Sequence, residues 1–174
     1  MLTSWCRPAN WLIWLFASLV LCACSTGAPT GQGANRHVAS PRSQPSCQPQ
    51  EVHKGPLPSV YRDRFGAPSP PWLDGGQFVA VLFFSRGSAK IATGGSMPDG
   101  RRTKILWMTK ERIGEALRLK GVLSGSDDVS ISKTLPGVQD YPSIVSLPAP
   151  GCWTLSLATA SRSLGWITIR AFQT

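Results

Sequence analysis

The sequence predicts an all-β protein, a sandwich or small barrel of about six to eight short strands. Three observations carry that expectation. Phe78 to Phe84 (FVAVLFF) is a short, continuously apolar run, as a strand buried on both faces requires. Cys152 to Thr159 alternates, with Trp153, Leu155 and Leu157 against Thr154, Ser156 and Ala158, as a half-buried strand does. The 174 residues include 17 Gly and 15 Pro, which punctuate the chain with turns and leave little room for long helices.

Ahead of the strands lie segments that build no core. Met1 to Asn10 carries one positive charge, Arg7, and no acid. Trp11 to Ala23 is apolar apart from Ser18. About 13 residues in a helix span roughly 20 Å, short of the ~30 Å hydrocarbon core, which suits the apolar region of a secretory signal. The run ends in Leu21-Cys22-Ala23-Cys24, followed by Ser25. This quartet resembles the lipobox of bacterial lipoproteins: an aliphatic residue, two small residues, then cysteine. The resemblance implies cleavage just before Cys24 and transfer of diacylglycerol to its thiol, and two acyl chains anchor stably where one does not. An uncleaved anchor and an ordinary signal peptide are the alternatives. Ser25 stands where Asp would resemble an inner-membrane retention signal, and so permits outer-membrane sorting. The expected organisation is a signal peptide at 1–23, a flexible tether at 24–46 and a β-sandwich domain at 47–174.

Cleavage settles the cysteine arithmetic. Of five cysteines, Cys6 and Cys22 leave with the signal and Cys24 takes the lipid. Cys47 and Cys152 remain, an even pair in an oxidising compartment. Bridged to each other they close a loop of about 105 residues, worth about 4–5 kcal/mol as an upper guide from chain entropy. Unpaired thiols, or a bond to another chain, are the other outcomes.

Residues 25–46 are rich in Gly, Pro, Ser, Thr, Gln and Asn and poor in large apolar residues, the composition of a flexible tether. His37 lies there with no second metal ligand nearby. Gln48 to Leu73 is proline-rich but contains Val60, Tyr61, Phe65 and Trp72. It reads as an irregular segment lying against the domain with its aromatics as plugs; Trp72, beside two prolines, is expected to be exposed, as is His53. Further strands follow. Ala89 to Ala92 is short, and Thr103 to Thr109 puts Ile105 and Trp107 on one face. Glu115 to Leu123 reads as a strand with Leu117, Leu119 and Gly121 on one side, though a helix reaching back to Lys110 competes. Val129 to Thr134 and Ile144 to Leu147 are short strands, and Leu164 to Phe172 pairs with Cys152 to Thr159 across a turn. Trp107, Trp153 and Trp166 all fall in strand patterns and are expected in the core.

Tyr141-Pro142-Ser143, followed by Leu147-Pro148-Ala149-Pro150-Gly151-Cys152-Trp153, resembles the closing motif of a group of small bacterial secreted or lipid-anchored domains. Cys47, the Lys104-Ile105-Leu106-Trp107 strand and Leu119-Lys120-Gly121-Val122-Leu123 are looser matches, and the whole covers most of residues 47 to 172. Gln48 and Pro49 depart from the Pro and Val that often follow the early cysteine. The resemblance implies an immunoglobulin-like antiparallel β-sandwich with no assigned activity, and a Cys47–Cys152 bridge. An antibody domain is excluded by spacing: Trp107 lies far beyond Cys47, and Pro150 occupies the position of the tyrosine.

Catalytic constellations are not evident. The sequence holds neither Gly-x-Ser-x-Gly, nor His-Glu-x-x-His, nor a glycine-rich phosphate loop. Ser130 and Lys133 match Ser-x-x-Lys, but positions three apart on a strand face opposite ways. Asp127-Asp128 after Ser124-Gly125-Ser126 reads as a polar turn, with too few oxygen ligands for calcium. No enzyme activity, cofactor or metal is expected. The net charge is +9, from 18 basic and 9 acidic residues. Arg86, Lys90, Arg101, Arg102, Lys104, Lys110 and Arg112, with Arg118 and Lys120 beyond, face only Asp99, Glu111 and Glu115 over that stretch. If they share a face they hold the domain against anionic lipid or wall polymer; otherwise they are a solvated surface. Nucleic acid is not an expected partner. The expected protein is therefore anchored through Cys24 to a cell or outer membrane on its extracytoplasmic side, and is a non-catalytic binding or structural module. The alternatives are an accessory subunit of another envelope protein and a hydrolase with an unfamiliar site.

Overall fold

The computed structural model describes residues 47–65 and 69–174. The expected signal segment and tether, with Cys24 and His37, fall outside them. The described chain forms one α-helix, α1 (Ser59–Phe65), a single 3-10 turn at Thr93–Gly95, and nine strands: β1 (Trp72–Asp74), β2 (Phe78–Leu82), β3 (Lys90–Ala92), β4 (Lys104–Thr109), β5 (Leu117–Leu123), β6 (Ser130–Leu135), β7 (Asp140–Ile144), β8 (Gly151–Ala158) and β9 (Ser163–Phe172). They make a two-sheet sandwich. Sheet I has the order β1-β2-β4-β7 and sheet II the order β3-β9-β8-β5-β6. All pairings are antiparallel except β3 with β9. β4 neighbours β7 in one sheet while β5, β8 and β9 adjoin in the other, the arrangement of strands B and E against C, F and G in immunoglobulin-like folds.

The core between the sheets follows from alternation. Phe78, Ala80 and Leu82 of β2, Ile105 and Trp107 of β4, Leu117 and Leu119 of β5, and Trp153, Leu155 and Leu157 of β8 all point into it. Trp107 donates its indole N–H to Ser143 Oγ at 2.8 Å, so the one polar atom it carries inward is satisfied. Gly121 makes room for this packing: a Cβ there would come within 2.7 Å of Ile131 and 2.8 Å of Leu155.

Residues 48–65 and 69–73 are more ordered than an irregular plug. Gln50 donates its backbone N–H to Thr168 O, and His53 exchanges backbone hydrogen bonds with Trp72, so this stretch runs from β9 of sheet II to β1 of sheet I. Pro58 O then accepts from the backbone N–H groups of Tyr61 and Arg62, opening α1. Tyr61 and Phe65, one turn apart, turn the same way. Together with Leu57 and Trp72 they cover Val79, Val81, Leu106 and Met108, the outward residues of β2 and β4. Arg64 fastens the helix, donating to Thr109 O at 2.8 Å and pairing with Asp140 at 3.0 Å. Trp72 is consequently buried rather than exposed. His53, exposed as expected, stacks on it at 4.1 Å between ring centroids, and its indole N–H reaches Gly55 O at 3.2 Å. Two adjacent prolines gave the local appearance of a surface residue; the cover comes from outside that local run, from Leu57 and Tyr61 among others.

The strand expected at Ile144–Leu147 lies earlier, at Asp140–Ile144, with Val145 and Leu147 buried in the loop that follows. Pro142 is compatible with this because β7 is an edge strand. The facing edge strand of the other sheet, β6, carries Lys133 on its inward side beside Leu119, a charge placement that discourages edge-to-edge pairing. Lys133 Nζ reaches Ile144 O of the other sheet at 3.3 Å. Between Glu115 and Leu123 the chain is extended from Leu117 onward, in agreement with the strand.

Candidate functional site

The two outer faces of the sandwich differ. Sheet I is roofed by α1 and Leu57, whereas sheet II has no described element over it. The pairing registers of sheet II therefore specify what its outer face presents. Thr134, Arg118 and Ala158 form one row across the strands. Ser132, Lys120, Ser156 and Trp166 form the next, and Ser130, Val122, Thr154 and Thr168 a third. Cys152, Arg170 and Lys90 make the last. None of the five strands contains Asp or Glu.

Trp166 is the residue that sequence reading placed wrongly. It is 59% exposed, the largest exposed apolar side chain among the described residues. A signal was present: Trp166 shares parity with Thr168 and Arg170, and Ile167, Ile169 and Ala171 point inward. The parity breaks at the start of β9, where the register with β8 shifts between Leu157 and Ala158. That bulge lets Leu164 also point inward, so reading the run from its first apolar residue turns Trp166 the wrong way. Gly165 sits beside the shift at φ +126°, and a Cβ there would lie 1.8 Å from Gly75 O. Only glycine fits that approach.

Cys152 belongs to the same face, because Trp153 beside it points into the core. The structure brings it to Cys47 in a disulfide, with the Cα atoms 5.3 Å apart. In antibody domains the bridge ties the two sheets through the core. Here it ties the segment that enters the domain to the outside of β8.

The basic residues of Arg86 to Arg112 do not form one surface. Arg86, Lys90, Arg101, Arg102 and Lys104 gather where β2 ends and β3 and β4 begin; Lys110 and Arg112 follow the far end of β4. Within the first group Asp99 pairs with Arg101 at 2.7 Å and Arg86 at 3.5 Å. The hydrogen bond from the Arg101 side chain holds the Asp99 carboxyl below its ordinary range. Lys104 lies 5.1 Å from the centroid of the Phe83 ring.

Two open depressions are basic. One of about 410 Å³ is lined by Lys104, Lys133, Pro142, Ser143 and Ile144, at the side where β6 and β7 leave the sandwich open. The other, about 460 Å³, is lined by Lys90, Arg170 and Phe172, at the edge of the outer face of sheet II. Asp127 and Asp128 are exposed on the turn between β5 and β6 and line neither. Ser130 points outward and Lys133 inward, as their spacing requires. Among the described residues, no three His, Cys, Asp or Glu side chains stand close enough to hold a metal ion.

No family model matches the chain, and no curated protein matches it. Among solved structures, the chain is similar to a Bacillus anthracis protein classed provisionally as a lipoprotein. The likeness covers 67% of this chain and 96% of that one, at 14% identity and a TM-score of 0.37.

Proposed function

We propose that this chain is a bacterial-type lipoprotein, exported, cut before Cys24, acylated there and held on the extracytoplasmic side of an envelope membrane. Its β-sandwich then works by binding or structural support rather than by catalysis. The observation that carries this reading is the Leu21-Cys22-Ala23-Cys24 quartet at the end of a short apolar run. The Cys47–Cys152 disulfide is consistent with it, since such bonds persist in oxidising compartments. An exposed apolar patch near Trp72 or Phe65 would favour the accessory-subunit alternative; Trp72 is buried, whereas Phe65 is half-buried against Phe83, which is 38% exposed.

The test is intact mass of the membrane-extracted protein, with thiol labelling before and after reduction. The expected species begins at Cys24, carries acyl chains and takes up two labels after reduction but none before. An unacylated mass that retains residues 1–23 would sink the lipoprotein reading.

A further inference from the structure

The outer face of sheet II combines four features. Its charge has one sign: Arg118, Lys120, Arg170 and Lys90 project from it, and its five strands hold no acid. Asp127 and Asp128 lie at its margin, on the β5–β6 side, two strands across from Arg170. An exposed indole, Trp166, stands among hydroxyl-bearing neighbours, and tryptophan is enriched at the boundary between lipid and water. The depression at one edge sets two cations from neighbouring register positions, Lys90 and Arg170, beside the half-buried ring of Phe172. Such a pocket offers a phosphodiester two cationic donors and an apolar wall. Finally, the chain enters the domain on this face, because Cys47 is bonded to Cys152 next to Arg170.

We infer that this face docks on anionic phospholipid, so that the domain lies sheet-down on the bilayer that holds its acyl chains. The inference rests on the lipid-anchored reading above. Charge complementarity chooses the lipid, and the anchor supplies proximity. Between Cys24 and Cys47 lie 22 residues. If they form the flexible tether their composition suggests, they span on the order of 25 Å, which keeps the face within reach of the membrane. Trp166 enters the interfacial layer while Lys90 and Arg170 hold lipid phosphate. Lys120 and Arg118 add attraction that weakens with salt.

Tryptophan fluorescence of the full acylated protein, reconstituted in vesicles, tests this. Trp72, Trp107 and Trp153 are buried, so collisional quenching reports on Trp166, and Trp166→Phe supplies the background to subtract. Vesicles of phosphatidylcholine alone are compared with vesicles containing phosphatidylglycerol, using acrylamide because a neutral quencher ignores surface charge. On the anionic vesicles the Trp166 emission should shift to the blue and its quenching should fall by about twofold, reverting at high salt. The Lys90→Gln/Arg170→Gln double variant changes only exposed side chains and should lose most of that protection. Equal quenching on both vesicle types would overturn the docking. So would protection that arises only when a soluble polyanion is added to protein on neutral vesicles, which would assign the face to an anionic polymer. Mass spectrometry of the same sample reads the acyl chains separately, so failure of the anchor and failure of the docking are told apart.

Discussion

Sheet I and sheet II carry similar inner faces and opposite outer ones, and the difference is visible in their residue patterns. β2 is buried at all five positions because Phe78, Ala80 and Leu82 face the core while Val79 and Val81 face Leu57, Tyr61 and Trp72. β5 and β8 are buried at every other position because sheet II has a core on one side only. A continuous apolar run thus records a second cover, and strict alternation records its absence. The covered face gains apolar burial and gives up a binding surface. The bare face keeps its cations, hydroxyls and Trp166 available.

The largest effect should come from the layer that both sheets share. Trp107→Ala removes a fully buried indole and leaves Ser143 without its partner, so urea unfolding should show a loss of about 3–5 kcal/mol. A loss under about 1 kcal/mol would mean that the sheets do not close on that residue.

A smaller effect concerns the cover of sheet I. Burial, with the Asp74 charge adding to it and Arg64 opposing, pushes the Tyr61 phenol up to about 12. The unfolded phenol titrates near ~10. Between those values the folded chain holds a proton that the unfolded chain has lost, so stability present below about pH 10 declines as pH rises through the window. Burial also raises Tyr141, which contributes in the same direction. Tyr61→Phe should therefore make the decline between about pH 10 and 12 shallower without abolishing it. Identical slopes for the two proteins would show that the hydroxyl is not buried under α1.

The smallest effect belongs to the bare face. Trp166→Ser should leave the unfolding midpoint within about 0.5 kcal/mol of the parent, since the ring has little contact to lose. A loss of about 2 kcal/mol or more would place Trp166 in a packed environment and contradict the comparison from which the docking surface was drawn.

Local pattern was enough to find most of the strands, though not β1, which lay in a segment read as irregular, nor the true bounds of β7. The runs at Phe78, Thr103, Leu117 and Cys152 each announce themselves, because a side chain's face on a strand is set by its position alone. Pattern was enough too to set the expectation of an exported, acylated chain, since the quartet ending at Cys24 and the apolar run before it are contiguous in sequence. Local pattern could not tell that Trp72 is roofed or that Trp166 is bare. Each is a large apolar residue in a short apolar context, and burial depends on what arrives from elsewhere: Leu57 and Tyr61 for one, nothing described for the other. Nor could it divide the basic stretch, where Lys104 and Lys110 lie six residues apart yet flank opposite ends of one strand. Sequence by itself determined the all-β class and the parity of most strands, because those follow from backbone geometry. Which outer face is covered, and so which surface remains to bind anything, was decided only by tertiary packing, because it depends on contacts between residues distant in the chain.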